Sequence, residues 1–318
     1  MKERKSEKLT SVIFTLSLFH SFALSHSMLK ALLSLTRPAN LVTAVADVLA
    51  GMAIAGYFLI PDSSAAPAAW LSLATVGLYG GGVVFNDVFD AELDAIERPE
   101  RPIPSGIVSK STATLLGTAL FVIGIAASFL VNPTAGLLAI AITIASLVYD
   151  RFGKHHNWLG PVNMGLCRGL NLLLGISILP EQIMPWAWVG LVPIAYIAAI
   201  TMISRGEVHG GSPTILRAAG ILYALVIGCV AALAQRQQQL GTALPFLALF
   251  GYYIFPPLWR AVKDPVGQNI GMAVKAGVLS LIVMNAAWVA AFANFPMAFL
   301  VFCLLPLSRF LAKIFAVT

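Results

Sequence analysis

One stretch of this chain concentrates groups that could do chemistry. It begins Asn86-Asp87-Val-Phe-Asp90-Ala-Glu-Leu-Asp94 and continues through Arg98 and Arg101-Pro102-Ile103-Pro104-Ser105-Gly106 to Ser109. Six of the chain's fourteen carboxylates fall within it. Asp87, Asp90 and Asp94 are three and four residues apart, so a helix places them on one face, with Asn86 one turn before Asp90 on the same side. Like charges stacked on one stripe repel, and beside a bilayer they are poorly solvated. A divalent cation turns that liability into a binding site. Hard ions such as Mg²⁺ take carboxylate oxygens, keep some waters and accept phosphate oxygens as well. Asp87, Asp90 and Asp94 are therefore candidate catalytic residues and, with Asn86, candidate metal ligands. A solvated acidic helix cap is the plainer reading, but a cap does not require the Asn-Asp-x-x-Asp-x-x-x-Asp spacing.

The elements that must hold this stretch in place are greasy. The chain has 318 residues, 58% of them hydrophobic and only 11% charged, which excludes an ordinary soluble domain. Its apolar runs are long enough to cross a bilayer, and spanning segments that satisfy their own backbone are helices. Reading them in order gives spans over 39–60, 68–85, 111–131, 135–149, 159–179, 186–203, 214–234, 244–258 and 271–292. A last apolar run, 295–311, forms a tenth helix if it spans. The fold expected is an all-α, polytopic membrane bundle of nine helices, with that C-terminal tenth left open. The acidic stretch closes the second span, after Gly80-Gly81-Gly82, which permits close helix approach.

Polar side chains inside spans mark the bundle interior. Arg37, Asn40, Thr43 and Asp47 recur at three- and four-residue intervals on the first span. Asp47 either lines a pocket or bonds a neighbouring helix, and the sequence leaves both open. Arg168, with Asn163 and Asn171 on the fifth span, is costly there unless it meets an anion, either a diphosphate or a motif carboxylate. Gly165 and Gly169 form a packing step.

Lys and Arg gather at the N-terminus, in the loops after the even-numbered spans and at Arg309 and Lys313, whereas Arg236 alone stands out on the opposite side. The positive-inside rule then puts the acidic loop in the cytoplasm, together with the polar segment 204–211 that follows the sixth span. The net charge of +6 lies in short loops between apolar runs, which argues against nucleic acid as a partner. Cys167, Cys229 and Cys303 have no paired or metal-type spacing and read as reduced thiols. Residues 1–30 form an N-terminal extension, a charged start and then a short apolar run. We read it as an appendage without a role in chemistry, in preference to a cleaved signal. Residues 31–318 form one domain.

The patterned run Asn86, Asp87, Asp90, Asp94, Arg98, Arg101 to Gly106 and Ser109 resembles the UbiA superfamily of intramembrane prenyltransferases, and the likeness extends over most of the chain from about Leu32. Within the superfamily the chain looks most like the UbiA-like protein of the cyanobacterial Ebo gene cluster. The resemblance implies a central cavity opening to the cytoplasmic side, Mg²⁺ as cofactor and a prenyl diphosphate as substrate. It also implies that Asn40, after Arg-Pro, belongs to the site, and that Tyr149 and Lys154 help bind the diphosphate. The adjacent His155 and His156 would diverge on a helix and do not read as a metal pair. By position, Ser204 to Gly211 is the superfamily's second aspartate motif, which holds a second metal. Here it has departed, because Glu207 is its only carboxylate and Arg205, His209 and Gly210 replace much of the acidic pattern. Glu207 is kept as a candidate ligand and Arg205 as a phosphate-neutralising cation. His209 is either a neutral ligand or proton donor, or a solvated loop residue.

Two readings follow. In the first, Mg²⁺ held by Asn86, Asp87, Asp90 and Asp94 assists diphosphate departure, with Arg98, Arg101, Lys154 and Arg168 neutralising its charge. The allylic carbocation left behind is captured by an unidentified small or aromatic acceptor amid membrane lipids. In the second, a polytopic carrier or lipid-binding scaffold keeps the fold without turnover, which the depleted second motif favours.

Overall fold

The computed structural model describes residues 28–153, 156, 159–207 and 210–315. Every regular element among them is helical. The long ones are α1 (Pro38–Ile54), α2 (Ala65–Glu97), α3 (Lys110–Phe129), α4 (Pro133–Val148), α5 (Leu159–Ile176), α6 (Leu191–Ser204), α7 (Pro213–Arg236), α8 (Leu240–Lys263), α9 (Gly267–Phe292) and α10 (Phe295–Ile314). The readings placed on residues 1–27 and on Lys154, His155 and His209 lie outside the described residues.

The helix boundaries follow from local chemistry. Proline opens α1, α4 and α7 in the first turn, where its missing N–H costs nothing. Asn132 caps α4 by accepting from Ala135 N at 2.8 Å while its Nδ2 donates to the Ser177 carbonyl at 2.7 Å. Ser109 caps α3 by accepting from Thr112 N at 3.1 Å. The first span is shorter than its hydropathy suggested. It ends at Ile54, and Gly56, with φ of 83°, turns the chain into a single 3₁₀ turn at Tyr57–Leu59. The second is longer. It continues unbroken past Phe85 to Glu97, so the whole acidic stripe is carried on helix.

Nine helical stretches among the described residues are long and apolar enough to cross a membrane, as expected. Phe295–Ile314 is one of the nine. Helix α5 is not, because Asn163, Arg168 and Asn171 lower its hydropathy, yet it packs within the bundle against α1, α4 and α6. This is a multi-pass integral membrane fold. Helix α1 is its axis and touches α2, α5, α9 and α10. It meets α5 at backbone distance: a side chain at Gly51 would collide with the Leu172 carbonyl, and one at Gly175 with the Val48 carbonyl. Before α1, a helical segment over 28–35 packs Ala31 and Leu35 onto Val84, Val88, Val108 and Ala113. That contact ties the approach to Arg37 to the end of α2 and the loop after it.

Candidate active site at the mouth of the bundle

The acidic end of α2 is not an open row of carboxylates. Asp87 and Asp94 are buried, at 7% and 4% exposure, and each is met by an arginine. Arg37 Nη2 donates to Asp87 Oδ1 at 2.8 Å, and Arg101 Nη1 donates to Asp94 Oδ2 at 2.7 Å. Arg101 Nη1 also lies 3.6 Å from Asp87 Oδ1, so one guanidinium spans both acids. Arg37 reaches inward from a left-handed backbone conformation, φ 49°, just before α1. A non-glycine residue pays for that geometry, which persists where its surroundings enforce it. Arg101 is held by a compact loop in which Ser105 N donates to the Arg101 carbonyl and Val108 N to the Pro102 carbonyl, both at 2.9 Å. Asp90 is half-buried and faces the same end of the molecule as Tyr149, within electrostatic reach of it.

Beside this cluster a cavity of about 480 Å³ opens between the helices. Its polar lining includes Arg37 and Asn40 from the start of α1, Asn86 from α2, Tyr149 and Asp150 from the end of α4, and Glu207 from beyond α6. Its apolar lining includes Leu78, Ile142, Ile197, Ile200, Val278 and Leu281. Asn86 Nδ2 donates to Asp150 Oδ1 at 2.9 Å. Glu207 sits exposed at the rim. Burial by the surrounding protein nonetheless pushes its carboxyl above the ordinary glutamate value, and attraction to Arg98 partly opposes the rise.

A profile of the UbiA prenyltransferase family matches residues 44–263. The chain belongs to that family. Its relatives include proteins named digeranylgeranylglyceryl phosphate synthase. The one from Methanococcoides burtonii is 35% identical over 155 residues, 46% of this chain and 54% of that protein. The one from Methanoculleus marisnigri is 33% identical over 221 residues, 64% of this chain and 75% of that protein. The chain spans little more than half the length of the first of these relatives. These names differ from the Ebo-cluster protein expected from the sequence; the superfamily assignment stands, and the finer placement gains no support. Among solved structures, the fold is shared with a UbiA homolog from Aeropyrum pernix K1 at a TM-score of 0.64, with 20% identity over 78% of this chain and 96% of that one. It is shared as well with a UbiA homolog from Archaeoglobus fulgidus bound to GPP and Mg²⁺, at a TM-score of 0.55 and 14% identity over 84% of this chain and 99% of that one.

Within this UbiA fold the expected site residues divide. Asn40, Asn86, Tyr149, Arg168 and Glu207 line the cavity. Asp87, Asp94 and Arg101 form the ion-pair cluster at its edge. Arg98 and Arg205 are exposed, and Arg205 Nη2 lies 3.5 Å from the His156 carbonyl. Asp47 resolves to packing: it is 1% exposed and bonded on both oxygens. Arg168 finds its anion there, and not in a motif carboxylate as one expectation had it. Its Nη1 donates to Asp47 Oδ2 and its Nη2 to Thr43 Oγ1, each at 2.7 Å, with the guanidinium carbon 4.8 Å from the centre of the Tyr79 ring. Gly165 and Gly169 pack α5 onto the α6 region, because a side chain at either would strike the Ile194 or Gly190 carbonyl. Asp150 was missed as a site residue. It was visible only as one polar residue in a loop, and the π-helical turn Tyr149–Gly153 that turns it inward leaves no mark in hydropathy.

Proposed function

We propose that this chain transfers an isoprenyl group from a prenyl diphosphate to a small acceptor within the membrane. The observation that carries the proposal is the cavity itself, which is lined both by polar groups from the two halves of the chain and by apolar side chains. Its 480 Å³ lies within the range of small-molecule sites. The apolar lining takes the isoprenyl tail and keeps water from the allylic cation. The polar lining takes the diphosphate. Loop charge puts this mouth on the cytoplasmic side.

Among the described residues no three His, Cys, Asp or Glu side chains converge into a ready cage for a metal. That suits Mg²⁺, which binds through one or two carboxylates, waters and substrate phosphates rather than through an all-protein shell. Asn86, Asp87, Asp90 and Asp94 would hold it, with Glu207 across the cavity, and their donors are all hard oxygens. When bound, Mg²⁺ polarises the departing diphosphate. Arg37 and Arg101 neutralise Asp87 and Asp94 and stand within reach of an incoming anion, to which an arginine fork donates in pairs. Arg98 and Arg205 add positive charge at the mouth, and Asn40 and Tyr149 add polar contacts on the cavity wall. Arg168 contributes charge from within its own network, since both its Nη atoms already donate to protein.

The relatives' name makes a glyceryl phosphate lipid the first acceptor to test. The small modified metabolite implied by the Ebo-cluster likeness comes second. One observation favours a non-catalytic scaffold instead: Glu207 is the lone acid of segment 204–211. Incubating the purified protein with labelled geranylgeranyl diphosphate, Mg²⁺ and each acceptor class decides between them. Diphosphate release that disappears in Asp87→Ala and Asp90→Ala supports transfer. Tight diphosphate binding without release under any acceptor supports the scaffold.

A further inference from the structure

We infer that Asp150 is a positioning residue that fixes which end of the Asn86 amide faces the cavity. The inference rests on the reading of Asn86 as an oxygen ligand for the cation. Asp150 is 3% exposed and lies 64 residues along the chain from Asn86, and both line the cavity. An ionised carboxylate only accepts hydrogen bonds, so the amide presents its NH₂ end to Asp150, as the 2.9 Å contact from Nδ2 records. The other end of a planar amide is its carbonyl oxygen, which is thereby directed away from Asp150 and left to a cation. A flipped amide would set its oxygen against the Asp150 carboxylate and turn its NH₂ toward the cation, and both contacts are repulsive.

The backbone holds Asp150 in place for this task. It sits in the π-helical turn Tyr149–Gly153 that closes α4, a type of turn that recurs at functional sites, and this turn packs against α2. Partners of this kind behind a metal ligand typically govern metal affinity by about 10–100-fold.

The test measures Mn²⁺ binding, by the loss of its free-ion EPR signal, to the purified full chain with inorganic pyrophosphate present. Asp150→Ala is expected to weaken binding about tenfold or more. Asn86→Asp alone sets two carboxylates face to face and weakens it too. Asn86→Asp combined with Asp150→Asn exchanges donor and acceptor, restores the contact with an oxygen still directed at the cation, and recovers most of the affinity. A merely structural hydrogen bond would alter thermal stability without moving Mn²⁺ affinity. Should Asp150→Ala fail to fold, the exchanged pair against Asn86→Asp alone gives the answer, and no recovery overturns the inference. Wild-type binding by Asp150→Ala, while Asn86→Ala loses binding, overturns the inference alone. Wild-type binding by Asn86→Ala overturns the ligand role of Asn86 and the inference with it.

Discussion

Two carboxylate–arginine clusters occupy this molecule, and they differ in how completely they are closed. At mid-bundle, Asp47 is met on one oxygen by Arg168 and Asn171, at 2.7 and 3.3 Å, and on the other by Asn285 at 2.7 Å. Thr75 donates to Asn171 Oδ1 at 2.7 Å, so α1, α2, α5 and α9 share one network. At the mouth, Asp87 and Asp94 are held by Arg37 and Arg101, and the Arg37 side chain keeps 25% of its surface open. The same pair of residue types therefore serves two ends. Where both oxygens of the acid are bonded and both partners are buried, the pair joins helices. Where one partner keeps a quarter of its side chain exposed at the mouth, it can exchange onto a ligand. Ionic character alone does not reveal function; saturation and access do.

Three experiments break or sharpen that contrast. The largest effect is expected at the closed cluster. Asp47→Ala strands the Arg168 guanidinium in the bundle and should cost about 3–5 kcal/mol of stability, read as a lowered unfolding midpoint in detergent. Replacing both, as Asp47→Leu with Arg168→Met, should recover most of that loss. If Asp47→Ala leaves stability intact, the network is not the joint described here. Next comes Asp90, which stands on α2 between the two acids of the open cluster. Asp90→Asn should lower diphosphate release about a hundredfold, close to 2.7 kcal/mol of barrier, with the unfolding midpoint unchanged. A drop in stability of the same size would erase the distinction between the two clusters. The smallest effect belongs to Glu207→Gln, about tenfold or less, because the segment it stands in has already lost its other acids. An equal or larger loss than in Asp90→Asn would show that the second segment, and not the first, leads the chemistry.

Much of this was legible in the residues. Hydropathy marked eight of the nine stretches long and apolar enough to cross a membrane and left the C-terminal one open, and the three-and-four spacing of Asp87, Asp90 and Asp94 placed them along one helix. Such features are local: each depends on side chains within a turn or two of one another. Other outcomes were not local. Sequence left Asp47 divided between pocket and packing, because its partners Arg168 and Asn285 lie 121 and 238 residues away. It listed Arg37 only as part of a polar stripe, because nothing near Arg37 in the chain names Asp87 as its partner. It passed over Asp150, whose direction is set by a π-helical turn.

What the sequence by itself determined is a membrane-spanning helical bundle with a dense acidic face on its second long helix, since composition and periodicity act one helix at a time. The tertiary structure decided which of those acids are already paired with arginine, which polar residues share a cavity, and which carboxylate merely fastens helices together. Those outcomes depend on distances between separate helices, and such distances are set only when the whole bundle packs.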